Sequence, residues 1–139
     1  MKKIFPNLKV AEREHFEAHQ DWEVPIKGFF IIAPERKVRS FEEFTDEEAK
    51  ELGVFIKDIR EAMSEVLNIK DVYLFQNEDT DHDFHIWMFP RHEWMEDFGR
   101  EIESVRPIME HAKKELVSKD KKKEVREAAR KVREYMKEK

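Results

Sequence analysis

Cysteine is absent from the 139-residue chain. Disulfides, thiolate zinc sites, iron–sulfur clusters and cysteine nucleophiles are therefore excluded together. Glycine is scarce, at 3 residues, so a phosphate loop of the G-x-G-x-x-G kind cannot be built. No apolar run approaches the roughly 18 residues that mark a membrane-spanning helix. Met1-Lys2-Lys3-Ile4-Phe5-Pro6 is not followed by the apolar stretch of a secretory leader. The expectation is a cytoplasmic protein with no membrane partner.

What is present is apolar bulk and charge. Aromatic residues make up 12% of the chain and include 11 Phe, enough to pack a core. A chain of this length fits one domain, since domains commonly run to about 100–150 residues. Charged residues reach 42%, far above the usual quarter or so. The net charge of −5 is uneven: residues 113–139 carry 12 Lys and Arg against 6 Asp and Glu, the remainder 15 against 26. The basic tail reads as the solvated face of a helix. The acidic body would repel a phosphate backbone, so no nucleic acid is expected as a partner.

Residues 7–35 read as extended. Phe29-Phe30-Ile31-Ile32-Ala33-Pro34 is a short β-forming run closed by proline, which indicates a buried strand. His15-Phe16-Glu17-Ala18-His19 alternates like a half-buried strand, with a turn over 21–25 between the two. Thr45-Asp46-Glu47-Glu48 is a capping box opening a helix over about 46–67. Its apolar stripe is Ala49, Leu52, Ile56, Ile59, Met63 and Val66, and Lys50, Glu51, Lys57, Asp58 and Arg60 solvate the other face. Residues 70–76 and 84–90 make two more strands. Ile102, Val105, Met109, Ala112 and Leu116 follow helical spacing, with Pro107 at a start or a kink, and Val125, Ala129, Val132 and Met136 mark a second stripe. The fold class is α+β: an antiparallel sheet, one long helix packed on it, and C-terminal helices. A domain over 1–100 and a helical extension over 101–139, packed on the same domain, are expected.

Chemistry concentrates between 79 and 92, where Asp79, Asp81, His82, Asp83, His85 and His92 cluster. Strand side chains alternate between faces. Phe84, Ile86 and Met88 point to a core, while Asp83, His85, Trp87 and Phe89 point the other way. A titratable group beside two aromatics on one face is the pattern of a site lining a sheet.

Asp83-Phe84-His85-Ile86-Trp87-Met88-Phe89-Pro90-Arg91 resembles the signature of the histidine triad (HIT) superfamily, in which three alternating histidines precede a Pro-Arg pair. Anchored on Pro90-Arg91, His85 falls on the middle histidine, the family nucleophile. Upstream, Gly28-Phe29-Phe30-Ile31-Ile32-Ala33-Pro34, Ser40 through Glu48, and Leu74-Phe75-Gln76-Asn77-Glu78 resemble the family's central strand, its helix start, and the strand whose closing Asn or Gln contacts phosphates. Asp21 sits where the family places its ribose-binding Asp or Asn. The resemblance covers residues 10–95. It implies a HIT-like antiparallel sheet, a nucleotide as small-molecule partner and a homodimer formed in part through the long helix and its adjacent strand. The triad is degenerate, with Asp83 and Trp87 at its first and third positions. Phe29 replaces a usual histidine, and the loop before His85 lacks the family's Gly-Gln-Ser/Thr stretch.

Nucleotidyl transfer through histidine needs a neutral imidazole with one nitrogen free and the other held by an acceptor. His85 can serve, with Trp87 and Asp83 beside it. Asn77 would hold phosphate oxygens and Asp21 the ribose hydroxyls. His82 can reach the phosphate as a proton donor, and His92 can supply positive charge. Asp83 would either repel the phosphate or orient an imidazole with its carboxylate. No metal is required for the covalent chemistry, though Mg2+ can accompany the nucleotide. Three readings stand: a nucleotide hydrolase or nucleotidyl transferase acting on dinucleoside polyphosphates or nucleoside phosphoramidates; a nucleotide-binding protein without turnover; and a metal-binding protein using Asp81, His82, Asp83, His85 and His92.

Overall fold

The computed structural model describes residues 3–139. Five strands, β1 (Lys9–Glu12), β2 (Phe16–Gln20), β3 (Phe30–Pro34), β4 (Val72–Phe75) and β5 (Ile86–Pro90), form one sheet in the order β1-β2-β3-β5-β4. Every neighbouring pair is antiparallel. The four expected strand regions all contribute to it. The segment read simply as extended ahead of residue 15 contributes β1, an edge strand. β2 is more buried than its alternation implied, with Phe16, Ala18, His19 and Gln20 all buried, because helices and loops cover both faces of the sheet there.

The helix α1 (Asp46–Leu67) begins as its capping box dictates. Glu48 N–H donates to Thr45 Oγ1 at 3.1 Å, and Thr45 N–H donates to Glu48 Oε1 at 2.9 Å. It ends on Asn68 in the left-handed conformation, φ 55°, one of the few side chains that tolerate it. Leu52, Phe55, Ile59, Ala62 and Met63 are buried on it. A second long helix, α3 (Lys119–Met136), packs against α1 and β1, burying Val125, Ala129, Val132 and Met136 as their spacing predicts. That packing corrects one expectation. Asp58, assigned to the solvated face of α1, is only 8% exposed and takes an ion pair from Lys57 at 3.2 Å.

Between them in sequence lies α2 (Ile102–Glu115). Pro107 neither starts nor breaks it but sits inside it as its sixth residue, where the missing N–H forgoes one helical bond, to the Glu103 carbonyl. Ile102 heads the expected stripe yet is 65% exposed, and Ile108 is fully buried in its place.

Two cores result, one on each face of the sheet. Phe16, Ala18, Phe30, Ile32, Phe84, Ile86 and Met88 pack with α1 and α3. Phe29, Ile31 and Phe89 pack on the opposite face with Val105, Ile108 and Ala112 of α2 and with Met95, which lies in a short 3-10 helix over Glu93–Phe98.

Candidate active site

Strand β5 alternates as its sequence demands. Phe84, Ile86 and Met88 enter the first core, and Trp87 and Phe89 join the second. The expectation that Phe89 lines an open site is corrected: it is fully buried, in the cluster that α2 and Met95 complete. The site face is roofed over at that end. At the other end lie half-buried His85 and exposed Asp83 and His82.

His85 Nδ1 donates to the backbone carbonyl of Asp83 at 2.8 Å. A carbonyl only accepts, so the proton sits on Nδ1 and Nε2 keeps its lone pair while the ring is neutral. This is the tautomer that a nucleophilic histidine needs. It also revises the part assigned to Asp83. The group that orients the imidazole is its main-chain oxygen, and the carboxylate is exposed. No residue type encodes a carbonyl, so the sequence could not reveal it.

Trp87 is half-buried and wedged edge-on between Phe29 and Phe75, with centroids at 5.5 and 6.4 Å, and tilted against His85 at 6.5 Å. The wall beside the imidazole is therefore aromatic. His82 lies in a bend spanning residues 78–82, and its ring centroid is 6.1 Å from that of His85. On a straight strand the two would face opposite ways, and the bend brings them to one side. Glu78 anchors this loop by accepting the Phe41 N–H at 3.4 Å.

Asn77 is exposed immediately after β4, and Gln76 Nε2 donates to its carbonyl at 2.8 Å. Asp21 follows β2. Its Oδ2 accepts the amides of Glu23 at 3.1 Å and Val24 at 2.8 Å, an Asx turn that leaves Oδ1 unused by the backbone. Burial pushes the Asp21 carboxyl above the usual range. Since Phe16 and Ala18 face the first core, alternation carries Asp21 to the same sheet face as His85 and Trp87. Gln20 pairs Phe30, and Phe30 pairs Met88. Asp21 and His85 thus lie two strands and about four residues apart, on the order of 16 Å between backbones. Neighbouring Trp22, which the sequence reading passed over, is 40% exposed and stacked on His19 at 4.9 Å.

His92 is not part of this group. It begins the 3-10 helix beyond β5 and donates Nε2–H to the Lys27 carbonyl at 2.7 Å. Burial lowers its pKa, which favours the neutral ring, so the expected positive charge is not supplied. Arg91 is buried and structural: it donates to Ser104 Oγ at 3.1 Å and to the Gly99 carbonyl at 2.6 Å. A cavity of ≈ 490 Å³ beyond the Pro90 end of β5 is lined by Lys27, His92, Trp94 and His111 among others. It contains none of His85, Trp87, Asp83, Asp21, Asn77 or His82. The metal reading of the Asp/His loop loses its geometry: among the described residues, the group of three possible ligands that converges is Glu14, His15 and Glu47, elsewhere in the fold.

No family sequence model and no curated protein sequence matches the chain. Solved structures do. A hypothetical histidine triad nucleotide-binding protein from Sulfolobus tokodaii superposes with a TM-score of 0.65 at 17% identity, covering 94% of this chain and 84% of that one. A Hit-like protein from Bartonella henselae gives 0.64 at 18% identity, covering 94% and 87%. The NitFhit protein of C. elegans gives 0.63 at 18% identity over 92% of this chain, which spans only 27% of that longer chain. The chain has the histidine triad fold, an antiparallel sheet carrying its histidine at the start of a central strand. Among the described residues, no helix is long and apolar enough to cross a membrane.

Proposed function

We propose that this protein is a nucleotide hydrolase or nucleotidyl transferase working through a nucleotidyl-histidine intermediate. The observation that carries the reading is the 2.8 Å bond from His85 Nδ1 to the Asp83 carbonyl, which leaves Nε2 as an oriented nucleophile. Nε2 attacks the α-phosphorus of a dinucleoside polyphosphate or nucleoside phosphoramidate. The bond from phosphorus to the leaving oxygen or nitrogen breaks, and His82, in its protonated form, gives that atom a proton. Water then attacks the phosphorus, the P–N bond breaks, and the proton released by water returns to His82. His85 is restored neutral, with Nδ1–H still on the carbonyl. Trp87 contributes an indole N–H to a non-bridging oxygen but no acid function. Asn77 holds phosphate oxygens and Asp21 the ribose hydroxyls, so the nucleotide lies across β3 and β5. No metal takes part in the covalent steps, and Mg2+ rides with a polyphosphate substrate.

A second reading keeps nucleotide binding without turnover. The aromatic wall of Phe29, Phe75 and Trp87 favours it, because it offers developing phosphate charge one neutral donor in place of ionisable ones. Assembly as a homodimer in the cytoplasm completes the proposal. Val54 of α1 and Leu74 of the edge strand β4 are 55% and 54% exposed, and sedimentation equilibrium measures the state. Incubation with a dinucleoside polyphosphate, followed by mass spectrometry without acid treatment, tests the enzyme reading. A nucleotidyl adduct on His85 is the expected result. Binding of nucleotide without adduct or cleavage of any substrate in either class leaves the second reading in its place.

A further inference from the structure

Separately from that site, the turn between β1 and β2 meets the first turns of α1. Glu14, His15 and Glu47 each offer one ligand atom there, and the three atoms lie within 4.8 Å of one another. His15 is held from behind by Glu51. Its backbone N–H donates to Glu51 Oε2 at 2.8 Å, and Nδ1 bonds Glu51 Oε1 at 3.1 Å. A carboxylate only accepts, so the neutral ring carries its proton on Nδ1 and presents the Nε2 lone pair. Nε2 is 4.0 Å from Glu14 Oε1. A carboxylate fixing the rear nitrogen is the usual support of a metal-bound imidazole. Glu14 and Glu51 have ion-pair contacts to His15 alone, and among the described residues no Lys or Arg pairs with Glu14, Glu47 or Glu51. Three carboxylates therefore converge on one imidazole, whose pKa they raise, Glu51 foremost through its bond to Nδ1, and among the described residues no Lys or Arg stands between them.

We propose that Glu14, His15 and Glu47 bind a divalent transition-metal ion of the zinc class, with Glu51 as the positioning residue. One nitrogen and two oxygens without sulfur suit zinc or manganese, and the imidazole disfavours magnesium and calcium. Metal–ligand bonds of about 2.0–2.2 Å require ligand atoms to approach to about 3.3 Å. Glu14 can close that gap, because its side chain is 76% exposed and free to swing. The ion joins the β1–β2 turn to α1, so binding stabilises the folded chain by mass action. The site is open to solvent, and its metal exchanges during purification.

The test is calorimetric titration of the tag-free full chain with zinc chloride, with thermal unfolding measured in parallel. One zinc ion per chain and a raised Tm are expected. His15→Ala and, separately, Glu47→Gln should each weaken binding at least tenfold; Glu47 is exposed, so its variant still folds if the His15 variant does not. Glu51→Gln keeps all three ligands and should weaken binding while leaving the stoichiometry at one. Glu65→Gln, on an exposed face further along α1, should change nothing. The proposal is overturned by an absence of binding, by zinc uptake that survives both ligand variants, by uptake lost in His82→Ala, or by displacement of zinc by equimolar Mg2+.

Discussion

Replacing His85 by alanine separates chemistry from binding. The substitution removes one hydrogen bond, from Nδ1 to the Asp83 carbonyl at 2.8 Å. Asp83 is exposed, so water takes over that acceptor, and the loss of stability should be no more than about 1 kcal/mol. The ring is half-buried and touches the edge of the Trp87 wall, but it does not hold up either core. Nucleotide affinity should therefore stay within about tenfold of wild type, roughly 1.4 kcal/mol. Turnover is different, because a nucleophile acts in the transition state. With Nε2 gone there is no covalent route, and kcat/KM should fall about a thousandfold or more, roughly 4 kcal/mol. Chromatographic assay of dinucleoside polyphosphate and phosphoramidate cleavage gives the turnover, and calorimetry with a nucleoside monophosphate gives the affinity. A variant that keeps more than a tenth of wild-type turnover would refute the nucleophile assignment. A hundredfold loss of affinity would instead show that the imidazole is chiefly a ground-state contact.

Trp87→His should raise turnover, since it restores an ionisable donor on the same strand face, and stopped assays under identical conditions compare it with wild type. Asp83→Asn should leave turnover unchanged or raise it, because the orienting atom is the retained carbonyl; a large loss would restore a role to the carboxylate. Gly28→Ala should destabilise the fold by about 2–4 kcal/mol by chemical denaturation: Gly28 has φ +83°, and an added Cβ would meet Ile69 Cδ1 at 2.8 Å. Acid unfolding should report Glu48, whose carboxyl is held at about 2 by the Arg36 guanidinium and the Thr45 amide. Its folded pKa lies below its unfolded one, so its stabilisation is complete above about pH 4.5 and fades as pH falls toward 2. Glu48→Gln should flatten that acid limb of the stability profile, and an unchanged limb would contradict the assignment.

Elements whose causes are local were legible in the sequence. The capping box and 3.6-residue spacing placed α1 at its observed ends, and alternation along 84–90 sorted Phe84, Ile86 and Met88 from Trp87 and Phe89. The order of short motifs pointed to the histidine triad fold at an identity where no sequence model matches. Those signals work because backbone hydrogen bonding and side-chain direction repeat with a fixed period. What the period cannot say is which neighbour covers a face. Asp58 is buried because α3 lies on α1 and Phe89 because α2 roofs its side of the sheet, while His92 is turned from the site because it reaches the carbonyl of Lys27, 65 residues earlier. The candidate site divides in the same way. That His85 heads a strand face beside Trp87 follows from alternation alone. That its Nδ1 is tied to the Asp83 main chain, and that a bend turns His82 toward it, depends on a loop conformation which tertiary packing selects. The convergence of Glu14, His15 and Glu47 belongs wholly to the fold, since more than thirty residues of chain separate the turn from the helix and packing alone brings them within reach.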